Sequence, residues 1–171
     1  TRRQDWMNFT LGQPSDDSEA CLSLNELRAA LLDAHPGTSC SRVMGLDLGL
    51  ESYCVIASVF PDQTVVIEHI EAIPIEDLIA RREALVRQFR VRSSVTDTMP
   101  YVESVIRMQR MDPNLYGAIY VKSKATETHT VKMAEEDKEK GKLNIKAVHL
   151  NRDKAFDELM DAVRYGKLRK V

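Results

Sequence analysis

Val43-Met44-Gly45-Leu46-Asp47-Leu48-Gly49 plants an acidic residue at the end of an apolar run, and Ser94-Val95-Thr96-Asp97-Thr98-Met99-Pro100 does so a second time. Their apolar and β-branched content, closed by turn residues, reads as two strands. A carboxylate where a buried strand surfaces is costly unless a charge partner meets it there. Two such strands, laid side by side in a sheet, aim both carboxylates at one divalent cation, a hard ion that takes oxygen ligands.

Outward from the first run, Arg42 to Asp47, Ser52 to Phe60 and Thr64 to Ile73 read as three strands in hairpin succession, with Pro61-Asp62-Gln63 as a tight turn. Ile75, Leu78, Ile79, Leu85, Val86 and Phe89 recur at helical spacing, with Glu76, Asp77, Arg81, Arg82 and Glu83 on the other face. That helix crosses over to a strand at Arg92 to Asp97. Pro100 suits the first turn of the next helix, Tyr101 to Met111, which stops at Asp112-Pro113-Asn114 before a fifth strand, Leu115 to Val121. Thr126 to Val148 alternates around a polar centre, Ala134 to Lys142, and reads as a long exposed β-hairpin turning at Lys140-Gly141-Lys142, with a charged loop as the other reading. Asn151 caps a last helix, Arg152 to Tyr165, with Ala155, Phe156, Leu159, Met160 and Val163 on its buried face and Gly166 as its stop.

With 171 residues and 43% hydrophobic content, the chain is long enough for one full core and too short for two comfortable ones. Its longest apolar stretches, such as Tyr53 to Phe60, fall well short of the roughly 20 residues that span a bilayer, so a soluble protein is expected. No secretory signal opens the chain, and Thr1 in place of methionine points to a piece of something longer. Cys21, Cys40 and Cys54 are odd in number and share no CxxC spacing, which predicts reduced, half-buried or buried thiols rather than a disulfide framework or zinc site. A net charge of −2 gives no global attraction to nucleic acid, yet seven lysines lie between Lys122 and Lys146 and four basic residues in the last eight. DNA contact, if any, is local.

Residues 1 to about 41 read as a lead-in, in which Trp6, Phe9 and Leu11 precede the turn-rich Gly12 to Asp17, and Leu24, Leu27, Leu31 and Leu32 recur at helical spacing before His35-Pro36-Gly37. Residues 42–171 form the main domain.

Asp47 sits in a Gly-x-Asp-x-Gly pattern, where Gly49 lets the chain turn and leaves the space above the carboxylate open. The same pattern also marks ordinary turns and the phosphate hairpin of actin-like folds, but Glu51 there would repel a phosphate. Asp97 also has a plainer reading, as a cap near a helix start. Together with the order βββαβαβ(hairpin)α, the two carboxylates, the Leu11-Gly12-Gln13-Pro14 lead-in and Asp161-Ala162-Val163-Arg164-Tyr165, the chain resembles the C-terminal nuclease domain of tailed-phage terminase large subunits.

That resemblance implies an α/β fold: a ribonuclease-H-like mixed central sheet with flanking helices and an extra β-hairpin. It implies a two-metal-ion endodeoxyribonuclease using Mg2+ or Mn2+, which needs a third or fourth carboxylate beside Asp47 and Asp97. Asp153, Asp157 and Asp161 share one helix face, and the Asp-Ala-Val-Arg-Tyr match nominates Asp161, with Asp157 or a ligand beyond Val171 as the alternatives. Lys122, Lys124, Lys132 and Lys146 are the candidate DNA-binding residues. His69 reads as a satisfied sheet residue, while His129 and His149 flank the hairpin and could touch DNA. Implied partners are double-stranded DNA, an ATPase motor domain in the same full-length chain, the portal and the small terminase subunit, in the host cell cytoplasm and without a membrane. No GxxxxGK[ST] loop is present, so the motor is not in this sequence. A Holliday-junction resolvase and an actin-like nucleotide-binding domain are the rival readings.

Overall fold

The computed structural model describes residues 24–31, 39–120, 129–132 and 145–170. Its elements, in chain order, are α1 (Leu24–Ala29), β1 (Ser41–Asp47), β2 (Glu51–Val59), β3 (Val65–Pro74), α2 (Leu78–Phe89), β4 (Ser93–Asp97), α3 (Val102–Met111), β5 (Leu115–Tyr120), β6 (His129–Lys132), β7 (Ala147–Leu150), α4 (Arg152–Arg164) and β8 (Leu168–Lys170). The strands make one sheet in the order β6-β7-β5-β4-β1-β2-β3-β8. β1, β2 and β3 are an antiparallel meander, and β4, β5 and β7 run parallel to β1. This is the mixed α/β sheet of a ribonuclease-H-like fold, and the antiparallel β6–β7 pair forms the base of the expected hairpin. The hairpin's charged centre and residues 1–23 of the lead-in lie outside the described residues.

Strand alternation divides the sheet into two unlike faces. Met44, Leu46 and Leu48 from β1 and its following turn, with Cys54 and Ile56 of β2, cluster with Leu78 and Leu85 of α2 and Val105 and Met108 of α3. A side chain of that size taken fully from water is worth about 1.5–3 kcal/mol, so this layer fixes where β1 lies, and β4 is placed by its parallel pairing with β1. The intervening residues Gly45, Asp47, Tyr53 and Val95 are exposed on the other face. Among the described residues no helix is long and apolar enough to cross a membrane.

Several expectations are corrected. Ile75 to Asp77 form a turn, and α2 begins only at Leu78. Arg82, assigned to the solvent face of that helix, is 3% exposed. It lies four residues after Leu78 and three before Leu85, which puts it on the apolar stripe. Its guanidinium reaches the Ser94 hydroxyl at 3.2 Å and pairs with Asp112 at the end of α3. Pro100 lies outside α3, because Asp97 and Met99 turn the chain first and the helix opens at Val102.

The last helix also departs from its expected packing. Asn151 does cap α4, its Oδ1 accepting the Lys154 amide at 3.3 Å. No residue of α4 is buried, however, and Phe156 and Leu159 are about half exposed. The helix has to travel from β7 to β8, six strand positions away, and packs chiefly on β8 and α1. β8 itself was not foreseen: Gly166, at φ +68°, turns the chain out of α4 and into this three-residue edge strand. The Lys170 amide donates to the Ala30 carbonyl at 2.9 Å, the Arg169 guanidinium donates to the Ala29 carbonyl, and Leu31 bridges Lys170.

His69 is satisfied within the sheet, and Cys40 and Cys54 are free thiols, half-buried and buried. His69 meets Glu71 at 2.8 Å, and the buried Cys54 thiol is pushed up to about 11, chiefly by burial. Glu71 also accepts two bonds from Arg81, at 2.7 and 2.8 Å. Those bonds, with help from His69 and against partial burial, hold its carboxyl at about 2, below the ordinary 4.5. A carboxyl depressed on folding contributes stability that is complete above its unfolded pKa and is lost as pH falls toward its folded one. Denaturant titrations of Glu71→Gln are therefore expected to show a shallower loss of stability than the parent between pH 4.5 and 2. Equal slopes in that window would show that the pair carries no acid sensitivity.

Candidate metal centre

β1 and β4 are parallel neighbours in which Leu46 stands level with Thr96, both buried. One residue further on, Asp47 and Asp97 end the two strands, and by continuation of that register they stand level on the opposite face of the sheet, Asp47 exposed and Asp97 half-buried. Adjacent strands lie about 4.8 Å apart. Carboxylates at that separation can share one hard cation, whose oxygen ligands sit about 2.0–2.6 Å from the metal. Asp97 Oδ1 accepts the Met99 amide at 3.3 Å, which orients the carboxylate. It does not cap α3, whose N-cap position is Tyr101.

The surroundings stiffen this sheet end. Gly49 is required by the turn, because a Cβ there would lie 2.8 Å from the Glu51 carbonyl oxygen. Tyr53 stands directly across from Asp47, and its hydroxyl donates to Glu51 at 2.8 Å. That bond and the Glu51 charge push the Tyr53 hydroxyl up from its ordinary value. On the other side, the Thr98 amide donates to the Ala118 carbonyl at 3.2 Å. Gly117 allows the close approach, since a Cβ there would meet the Thr98 hydroxyl at 2.5 Å and Ile145 at 2.9 Å.

The remaining nominated residues are placed less centrally. β7 and β8 both run parallel to β1, so α4 must lead from the sheet end that carries Asp47 and Asp97 back to the opposite one. Asp161, near the end of α4, is thereby carried away from the pair; it is exposed and 4.0 Å from Arg164. Asp157 lies one helical turn, about 6 Å, closer to the pair's end of the sheet. Among the described residues no group of three or more His, Cys, Asp or Glu side chains is gathered to hold a metal. The donor chemistry of Asp47 and Asp97 fits one hard divalent cation, and a second ion needs a further carboxylate.

Lys146 precedes β7, two residues short of the level of Asp97. Its ammonium donates to the Pro113 carbonyl at 2.8 Å and lies 3.9 Å above the Tyr116 ring. Lys132 ends β6, level with Ala147. Lys122 and Lys124 lie outside the described residues. His149 is half-buried in β7, and His129 pairs in β6 with Leu150.

No family model matches the sequence, and no curated protein sequence matches it. Solved structures do match in fold. The large terminase nuclease of thermophilic phage G20c, with bound zinc, superposes with a TM-score of 0.51 at 16% identity, over 85% of this chain and 78% of that one. The HK97 bacteriophage large terminase gives 0.51 at 12% identity, over 87% of this chain and 33% of that one. For the large terminase of another thermophilic bacteriophage the values are 0.51 and 8%, over 87% and 32%. The chain thus spans about a third of the length of those last two terminases and shares the fold of that stretch.

Proposed function

We propose that this chain is the nuclease domain of a tailed-phage large terminase, cleaving double-stranded viral DNA during genome packaging as a two-metal-ion endodeoxyribonuclease. The observation that carries the reading is the level placement of Asp47 and Asp97 at the ends of neighbouring parallel strands, on the open face of the sheet. A likeness of fold to terminase nucleases supports it. When bound, Mg2+ or Mn2+ would supply Lewis acidity to the phosphodiester and a more acidic water as nucleophile. Asp47 and Asp97 would hold the first ion. Asp161, or Asp157 one turn nearer, is proposed to supply the further carboxylate that a second ion needs.

Lys122, Lys124, Lys132 and Lys146 are proposed to meet DNA phosphates, compensating a chain whose net charge is −2. An ATPase motor domain in the same full-length chain, the portal and the small terminase subunit are the proposed protein partners, and the host cell cytoplasm the proposed location. Incubating the protein with supercoiled plasmid and Mg2+, Mn2+, Ca2+ or a chelator tests the reading. Nicking and linearisation are expected with Mn2+ and, more slowly, Mg2+, because Mg2+ demands near-ideal octahedral geometry that a partly assembled site does not offer. Calcium and chelator should give none. Cleavage that persists in chelator overturns the proposal.

A further inference from the structure

Where β5 ends, the guanidinium of Arg152 lies near two aromatic rings. Its central carbon lies 6.0 Å from the centre of the Tyr120 ring and 5.7 Å from that of Phe156. Both rings are about half exposed, at 54% and 52%. The cluster is held from two elements: Tyr120 closes β5 level with Leu150, and Arg152 opens α4 beside the Asn151 cap.

Its position relative to the carboxylates follows from strand parity. Ala118 stands level with Asp97, and Tyr120, two residues further along β5, projects from the same face. At about 3.3 Å per residue, Tyr120 lies about 7 Å beyond the level of Asp97 along the strand direction. Arg152 and the carboxylate pair therefore share one face and one end of the sheet.

Arg42, Arg81, Arg82 and Arg164 each pair with a carboxylate. Among the described residues none pairs with Arg152. Cation–π contact with nearby rings restrains a guanidinium and leaves its N–H fork for an anion, the geometry that takes a phosphate through two parallel bonds.

We infer that Tyr120, Arg152 and Phe156 form a clamp for the DNA strand, in which Arg152 takes a phosphate flanking the scissile one and the rings keep its fork flat and aimed. The inference rests on the nuclease reading for its substrate. These are positioning residues: they set where the backbone crosses Asp47 and Asp97 and touch no reacting atom.

Binding of a fluorescent DNA duplex, measured in chelator across a salt series, separates the clamp from the metal chemistry. Arg152→Ala is expected to weaken binding about tenfold at moderate salt and to reduce the slope of log affinity against log salt by about 1, the signature of one lost phosphate contact. Arg152→Lys, which keeps the charge but not the fork or the stacking plane, should restore the slope but not the affinity. Tyr120→Leu should weaken binding at unchanged slope. In cleavage assays KM should rise while kcat and Mn2+ affinity hold. Unchanged affinity and slope in Arg152→Ala, or full recovery of affinity in Arg152→Lys, overturns the clamp. If Arg152→Ala is silent while the parent cleaves, the clamp alone fails; if the parent binds through Arg152 yet never cleaves, the clamp stands and the nuclease reading fails.

Discussion

Asp47→Asn and Asp97→Asn are each expected to reduce plasmid cleavage by more than about 100-fold, since loss of an outer-shell partner alone costs about 10–100-fold at metal sites. Asparagine is the informative replacement because it keeps the shape and, at Asp97, an oxygen to accept the Met99 amide. The fold should not suffer. Like charges facing each other across strands are destabilising by about 0.2–1 kcal/mol, so removing one should leave the melting temperature unchanged or slightly higher in metal-free protein. Isothermal titration with Mn2+ should show the loss of binding directly. Near-parental cleavage in either variant would remove the pair from the mechanism. The same assays on Asp157→Asn and Asp161→Asn identify which turn of α4 completes the site, by which of the two loses activity.

Asp112→Ala should be the most damaging single change outside the metal centre. Arg82 is 3% exposed and Asp112 19%, so truncating the acid strands a guanidinium inside the layer between α2 and the sheet. Breaking such a buried pair typically costs about 3–5 kcal/mol. The lower figure suits a pair with one partly wetted member, and the Asp112 contact to the Asn114 amide at 2.8 Å is lost with it. About 3 kcal/mol in a domain of this size corresponds to a fall of roughly 6–12 °C in melting temperature. Replacing both partners, Arg82→Met with Asp112→Leu, should recover much of the loss, because the cost lies in the unpaired charge rather than in the missing bond. A loss below about 1 kcal/mol in Asp112→Ala would contradict this account of α2 docking.

Much of this was legible in the chain. Alternation in Arg42 to Asp47 and Ser94 to Asp97 places both carboxylates on strands, and β pairing follows once a helix separates them. Helical periodicity names a stripe, however, without saying what covers it. Phe156 and Leu159 read as core and are half in water, because their helix is stretched between distant strands. Arg82 shows the converse: a charged letter on an apolar stripe was read by its type rather than its spacing. β8 escaped because three residues with two cations, Leu168-Arg169-Lys170, carry no strand pattern; only Gly166 hinted that the chain reverses there. The cluster around Arg152 joins a strand end to a helix start some 30 positions later, a proximity set by the pairing of β5 with β7 alone.

The fastening of α1 to β8 has a mechanical consequence. Through Ala29, Ala30 and Leu31 it ties the start of the described chain to its end, so a traction applied at Leu24 and Lys170 is grounded at one margin of the sheet. β1 stands three strands inward from β8, and β4 four. Until that fastening parts, a pull on the two ends would load the rim and leave the two central strands slack, so the spacing of Asp47 and Asp97 would be preserved while the chain is under tension.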